Sequence, residues 1–475
     1  MKKLTLPLCW LPCLAFATPN HHDEQIKNVA KPIAPQIQPE LTQTAPNSQP
    51  IDISLQELNQ NPPLVHQLLS DALFARQTDA IATLLPVYQQ FPNADKTLIQ
   101  FAQAKLASLQ GKNNEAIHLY RQILAEQPQL NVVRIELAVA LFNAQQNNAA
   151  EDQFNKAKSA ENLPAPVMQL IDAYLAALKK RSSWQFGASA YYVQENNINN
   201  TSNSPEIENT GYVKGESMLP RKANGFAYSA DLSRDFNLTG SHYLTFQNDF
   251  SGRSYWNSHD DDELTNRTLL GYTYKNEKQT LRLLPFFEKR WSGGSSYRKT
   301  QGVRAEYNHW LSPNWQISTA LEYGKQDYYD SQAQDGSSKL ASITLLWLPK
   351  PQQYFYVGSD IGFERTKVRQ FSADTKSLRF GWGQEWQTFG LSSRLGFAIT
   401  ERDYHDTAKL GNILDLGKVR SDEVFSTTLT LWKRDWHLFG ITPKLQLSWR
   451  KHDSNLPTLY SYTDKNINVI FETRF

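Results

Sequence analysis

From Ser183 to the end of the chain, side-chain character alternates with a period of two. In Trp184–Tyr192 the residues Trp184, Phe186, Ala188, Ala190 and Tyr192 fall on one face, with Gln185, Gly187 and Ser189 on the other. The same alternation runs through 226–232, 281–291, 315–323, 355–363, 378–386, 391–399, 425–431 and 439–449, and less clearly near Leu244, Leu270, Val303 and Ile343. It closes on Ile467, Val469, Phe471, Thr473 and Phe475, so the count of strands comes to about 14. Arg282, Glu288, Arg290, Arg304, Glu306, Asp360, Glu364, Arg379, Glu385 and Arg394 all occupy the face opposite the aromatic and aliphatic set. An Arg facing lipid at mid-bilayer costs roughly 2 to 4 kcal/mol, so if these strands cross a membrane the charges line the inside of a closed barrel.

The connections give an independent argument. The odd-numbered ones are mostly long and polar (194–222, 326–338, 403–422, 450–464), whereas the even-numbered ones are tight (236–240, 275–279, 349–351, 388–390, 434–436). Long outer loops alternating with short periplasmic turns characterise bacterial barrels. A soluble two-sheet sandwich accounts for the alternating side chains but not for this alternation of loop lengths. With an even number of strands the C-terminus returns to the periplasm.

The N-terminal half has different chemistry. Lys2 and Lys3, an apolar run from Leu4 to Phe16, and Ala15-Phe16-Ala17 fit a cleaved export signal over residues 1–17, with Ala15 and Ala17 as the small residues at the cleavage site. That run is too short to span a bilayer, and no later stretch approaches the roughly 20 apolar residues needed. Both cysteines, Cys9 and Cys13, lie within it, so the mature chain is expected to have no thiol or disulfide. Lipidation at Cys13 is the rival reading, but Pro12 stands where such processing takes a small residue. Residues 18–54, rich in Pro, Gln, Asn and Thr, bury too little apolar surface to offset their ordering entropy and read as a disordered leader.

Residues 55–182 read as helical and repetitive. Gln110 to Ile117, then Tyr120 and Pro128, follow the pattern of a tetratricopeptide repeat: a turn, a small residue at a helix contact, a bulky aromatic, a terminating proline. Pro92, Pro128 and Pro164 recur every 36 residues, Ala80, Ala116 and Ala150 supply the small residue, and Leu84, Tyr120 and Phe154 the bulky one. An ordinary helical bundle explains the helices but not three matched series. Val167 to Leu178 would cap the stack. Counting along the repeat template puts Leu98, Phe101, Lys105, Ser108 and Leu109, with Val132, Ile135, Val139, Phe142 and Asn143, on the inner groove, where they are expected to receive a client. The fold expected is therefore multidomain: an all-α tetratricopeptide solenoid (55–182) followed by an all-β transmembrane antiparallel barrel of about 14 strands (183–475).

No catalytic constellation is present. His452-Asp453-Ser454 are chain neighbours, which cannot generally form a hydrolase relay. His259 to Glu263 lack the glycine turn and ligand spacing of a calcium loop, and Gly293-Gly294 is a turn. Catalytic, cofactor-binding and metal residues are therefore expected to be none. A formal charge of +2 gives no basis for nucleic-acid binding.

The order of parts resembles the surface lipoprotein assembly modulator family of Gram-negative bacteria: export signal, short tetratricopeptide domain, barrel of about 14 strands ending in phenylalanine. The resemblance implies an outer-membrane translocon that delivers particular lipoproteins, or haem-scavenging relatives, to the cell surface. The partners implied are that exported lipoprotein or haem-binding client, outer-membrane lipid, and the barrel assembly machinery, for which Phe471 and Phe475 form a terminal signal. An exopolysaccharide export porin with a periplasmic repeat scaffold is the alternative. Such exporters usually carry more repeats and a lumen biased to one charge. A passive porin with an adaptor domain is a third reading, one that leaves the helical domain unexplained.

Overall fold

The computed structural model describes residues 28–33, 39, 55–161, 163–208, 210, 212–410 and 414–474. The expected export signal with Ala15 and Ala17, and Phe475, lie outside them. Among the described residues eight α-helices precede the first strand: α1 (Leu55–Gln60), α2 (Pro62–Phe74), α3 (Thr78–Tyr88), α4 (Lys96–Leu109), α5 (Asn113–Glu126), α6 (Asn131–Asn143), α7 (Asn147–Lys158) and α8 (Ala165–Ser182). None is long and apolar enough to cross a membrane.

The repeat is visible in the backbone as well as in the side chains. Arg76, Gly111 and Gln145, which are 35 and 34 residues apart, each adopt positive φ just after an A helix. In each turn the next amide reaches back over the helix end: Gln77 N–H to Ala72 O (3.0 Å), Lys112 N–H to Ala107 O (2.9 Å) and Gln146 N–H to Leu141 O (2.9 Å). This is the hydrogen bond that satisfies helix-terminal carbonyls through a left-handed residue. Pairs α2/α3, α4/α5 and α6/α7 are thus three repeats, and α8 packs beyond the last of them. Ala116, Tyr120, Ala150 and Phe154 are fully buried, as the series of small and bulky residues requires. Tyr174 of α8 closes this core, edge-on to Phe142 and stacked on Phe154, each at 4.9 Å between ring centroids.

The second half is a closed antiparallel barrel of 14 strands, as expected from the alternation. The strands in chain order are β1 (Gln185–Glu195), a small outer hairpin β2 (Glu206–Ile207) and β3 (Tyr212–Val213) that stays outside the barrel, then β4 (Ala223–Thr239), β5 (His242–Tyr255), β6 (Glu263–Lys275), β7 (Gln279–Ser292), β8 (Ser295–Ser312), β9 (Trp315–Tyr328), β10 (Gly336–Lys350), β11 (Gln353–Thr366), β12 (Ala373–Glu385), β13 (Leu391–Leu410), β14 (Leu414–Lys433), β15 (Ile441–Ser454) and β16 (Tyr462–Arg474). Each barrel strand pairs with its chain neighbour, and β1 closes the ring against β16. Among the described residues this closing seam is the shortest ladder of the barrel. Gly187 to Tyr191 pair with Arg474 to Ile470 at the periplasmic half, while β1 pairs with β4 along its whole length from Gln185 to Glu195.

Leu321, Leu283, Phe380, Leu395, Val469 and Phe471 point outward and are exposed, ready for lipid. Aromatic rings gather at both ends of this band, where amphipathic rings favour the interface. Trp315, Trp347 and Phe355 stack at 5.6 and 5.4 Å beside the short turns, and Tyr192 and Phe226 contact Trp256 at 5.7 and 5.1 Å at the opposite rim.

One connection differs from the sequence expectation. Residues 403–422, read as a loop, largely extend β13 and β14 into a hairpin of two 20-residue strands. Above the membrane both faces of a hairpin are wet, so the apolar alternation that betrays a strand is lost. The β7–β8 connection is an outer one yet only two residues long, with Gly293 and Gly294 both at positive φ as such a tight hairpin requires.

Candidate functional site

The helical domain sits on the barrel end that carries the short turns, and polar contacts fix it there. The αL turn of the last repeat docks against the β4–β5 turn. Tyr243 Oη donates to Gln145 O (2.5 Å), Ser241 Oγ donates to Ala144 O (2.9 Å), and Asn148 bonds twice to Asn237 at 3.0 Å. The middle repeat meets the next short turn, where Asn113 Nδ2 donates to Glu277 Oε2 (2.5 Å). Burial raises the Glu277 carboxyl above its ordinary range, opposed by Lys278 and by the Asn113 hydrogen bond. Arg181, at the end of α8, lies 3.5 Å over the Phe142 ring and donates to Phe142 O, and burial lowers its pKa to about 10. The repeats are therefore held at the periplasmic mouth rather than hung from it.

The proposed inner groove is only partly open. Leu98, Phe101 and Ile135 are half-buried, and Phe101 packs against Tyr120 with ring centroids 6.0 Å apart. Ser108, Leu109 and Asn143 are likewise half-buried, and Val132 is exposed. Lys105, Val139 and Phe142 require correction: all three are buried and do not line a surface. Lys105 is turned inward by Glu136, at 2.5 Å. Burial lowers its pKa, and Glu136 opposes that shift. Val139 and Phe142 belong to the packed core of the last repeat. The template places a residue on a helix face, but it does not show which face the capping helix α8 covers.

Inside the barrel most of the expected charges are paired with one another or with other lumenal charges. Arg282 stands opposite Glu306 and pairs with it at 3.3 Å. Arg267 bridges Glu288 (3.1 Å) and Glu322 (2.8 Å), and Arg304 bridges Glu306 (2.6 Å) and Glu322 (2.9 Å). Further round, Arg379 holds Asp360 through two hydrogen bonds, 2.6 and 2.9 Å. Gly358 leaves the room for it, since a Cβ there would sit 2.5 Å from Arg379 Nη2. Arg402 pairs with Glu364 at 2.7 Å. The wall is thus polar and mixed in sign, with many of its charges paired, and it encloses a cavity of about 920 Å³.

Six residues of the stretch expected to be a free leader lie within this lumen. Residues 28–33 are hydrogen-bonded to Arg304, Gln316, Ser342 and Thr344 on β8, β9 and β10, with Val29 and Ala30 fully enclosed. Composition could not reveal this, because the contacts are made almost entirely through main-chain atoms.

The other motifs have structural roles. Asp261 pairs with Arg221 at 2.9 Å, and Asp262 Oδ1 accepts from Tyr255 N–H at 2.6 Å, so that acidic loop organises its own turn. His452 and Asp453 fall on opposite faces of β15: His452 is buried near Asp422 (3.3 Å), and Asp453 pairs with Lys451 (2.6 Å). Among the described residues no group of three or more His, Cys, Asp or Glu is arranged to hold a metal.

Both halves match models of one family. Residues 184–475 match the surface lipoprotein assembly modifier barrel, and residues 51–154 match the N-terminal TPR repeats of the same family. The chain belongs to the surface lipoprotein assembly modifier family. It is 36% identical to the surface lipoprotein assembly modifier of Pasteurella multocida, over 90% of this chain and 86% of that one. It is also 36% identical to surface lipoprotein assembly modifier 1 of Haemophilus influenzae, over 95% and 93%. A more distant relative is the hemophilin secretion modulator of Acinetobacter baumannii, 27% identical over 88% and 87%. As a member of this family the chain is an outer-membrane barrel, with the repeat domain on its periplasmic side.

Proposed function

We propose that the protein is a translocon that carries specific lipoproteins, or related haem-scavenging proteins, from the periplasm to the cell surface. The docked geometry is the observation that carries this reading. A repeat domain fixed by Tyr243, Asn237 and Glu277 at the periplasmic end of a closed, polar barrel delivers whatever it binds to one opening. No nucleotide is available outside the inner membrane, so net transport relies on folding of the client at the surface, which makes return unfavourable. The half-buried apolar residues Leu98, Phe101 and Ile135 and the exposed Val132 supply the surface for an unfolded client segment. Phe471, outward-facing and half-exposed, and Phe475 serve recognition by the barrel assembly machinery, and the apolar band contacts outer-membrane lipid.

The exopolysaccharide reading is not favoured. A track for an ionic polymer is expected to carry one sign of charge, whereas this wall carries both, with Arg267, Arg282, Arg290, Arg304, Arg379 and Arg402 each beside a carboxylate. Deleting the gene and comparing the surface-exposed and secreted proteins tests the proposal: one or a few lipoproteins or haem-binding proteins should disappear from the surface and accumulate in the periplasm. An unchanged protein profile with altered surface glycan would overturn it.

A further inference from the structure

The contacts that hold residues 28–33 inside the barrel have a definite chemistry. Ala30 is held at both ends of its own backbone: its N–H donates to Ser342 Oγ (2.8 Å) and its carbonyl accepts from Thr344 Oγ1 (2.9 Å). Ile33 is held in the same way by a single amide, donating to Gln316 Oε1 (2.7 Å) and accepting from Gln316 Nε2 (2.9 Å). Arg304 Nη1 donates to Asn28 O (2.6 Å). Among the described residues, one hydrogen bond to the wall comes from a side chain of the segment, Asn28 Nδ2 to Glu322 Oε1 at 3.4 Å.

Other contacts of the wall fix the polarity of these groups. Ser342 donates its proton to Asp360 (2.5 Å), which leaves the hydroxyl oxygen as an acceptor for an incoming N–H. Thr344 accepts from Arg379 (3.1 Å), which leaves its proton for an incoming carbonyl. The buried Arg379–Asp360 pair thus fixes one acceptor and one donor two residues apart on the same face of β10. Arg304, clamped by Glu306 and Glu322, is held in the same way. Preorganised groups that pair with N–H and C=O, and hardly with side chains, read the peptide backbone rather than a sequence. Val29 and Ala30, enclosed, limit only the size of what enters there.

We propose that Arg304, Gln316, Ser342 and Thr344 form a binding strip for extended polypeptide main chain, filled in the resting protein by its own residues 28–33 and contested by an entering client segment. This rests on the reading of the lumen as a protein route. A tethered segment has an effective concentration on the order of millimolar, so a free chain competes poorly. A client wins only when the docked repeats hold it at the same mouth, which couples opening to client capture.

The test uses the full chain in detergent micelles and a fluorescent peptide of sequence Asn-Val-Ala-Lys-Pro-Ile. A chain lacking residues 28–33 should bind the peptide at least tenfold more tightly than the intact chain. Methylating the peptide nitrogens at its Ala and final Ile positions should abolish binding, and Gln316→Ala or Thr344→Val in the deleted chain should weaken it at least tenfold, with heat-modifiable mobility retained in each. Equal binding by intact and deleted chains, or indifference to N-methylation, overturns the strip. In cells, Ala30→Cys with Ser342→Cys pins the segment once oxidised, and client export should stop and return on reduction. Normal export by the pinned chain, with the peptide results as expected, leaves the strip standing and instead overturns the lumen as the route.

Discussion

Tyr243 carries more of the arrangement than any other single side chain at the joint. It is almost fully buried at the start of β5, and its hydroxyl holds the carbonyl of Gln145, a non-glycine residue in the left-handed region. Tyr243→Phe removes that hydrogen bond from the joint, at a cost of about 1 kcal/mol to docking. The barrel should still assemble, while protease cuts between Ser182 and Gln185 appear sooner than in the parent; unchanged cutting contradicts the role assigned to this contact. Glu277 gives the joint a pH dependence. Its folded carboxyl is raised by burial, so its contribution to docking is complete below the ordinary Glu value of about 4.3 and is lost as pH rises through the folded value. Docking should tighten on mild acidification, and Glu277→Gln should tighten it at neutral pH and flatten the pH profile. Limited proteolysis across a pH series reads both; looser docking at lower pH contradicts the assignment. None of these contacts was legible in the sequence. Asn113, Tyr243 and Glu277 are ordinary turn or strand residues until the fold brings residues about 100 or more apart together.

Among the elements, the seam and the repeats behave differently from their neighbours. β1 and β16 share five residue pairs, against eleven between β1 and β4, and the outer half of β16 from Tyr462 to Val469 has no partner on β1 among the described residues. Thr201 and Ser202 reach Leu459, on the short helix α9 (Pro457–Tyr460), at 3.1 Å and tie the two sides only above that gap. Hydrogen exchange in micelles should show the seam-facing amides of 466–469 exchanging at least tenfold faster than those of β9 to β12; uniform protection around the barrel contradicts a weak closure. For the repeats, Val132→Asp changes an exposed position and Ile135→Asp a half-buried one. If the accessible groove receives clients, Val132→Asp should lower client surface display at least fivefold with helical content unchanged by circular dichroism. Normal display in that folded variant removes the groove from the account. The strands and repeats themselves were readable because period two and a 34- to 36-residue recurrence are imposed by burial. The inward turn of Lys105 was not, since it depends on Glu136 one repeat further on. Nor was the β13–β14 hairpin, whose tip has no lipid to enforce alternation.

At the scale of the whole molecule, a repeat domain is docked at the periplasmic end of a charge-lined barrel whose lumen holds a segment of the chain's own backbone. The architecture could be read from the chain because every barrel strand must face lipid on one side and a polar interior on the other. The lumenal segment could not, because backbone recognition leaves no mark on composition: Asn28 to Ile33 look like any proline-containing leader. The central claim is that client protein crosses the membrane through this barrel. The most direct measurement reconstitutes the purified full chain in liposomes with the repeat domain facing outward, supplies an unfolded client, chosen from those lost on gene deletion, on that side, and asks whether the client becomes resistant to external protease. The account predicts protection that requires the barrel, is lost when residues 28–33 are pinned, and is absent for unrelated unfolded proteins. A client that remains fully digested while the barrels are folded and correctly oriented would contradict it.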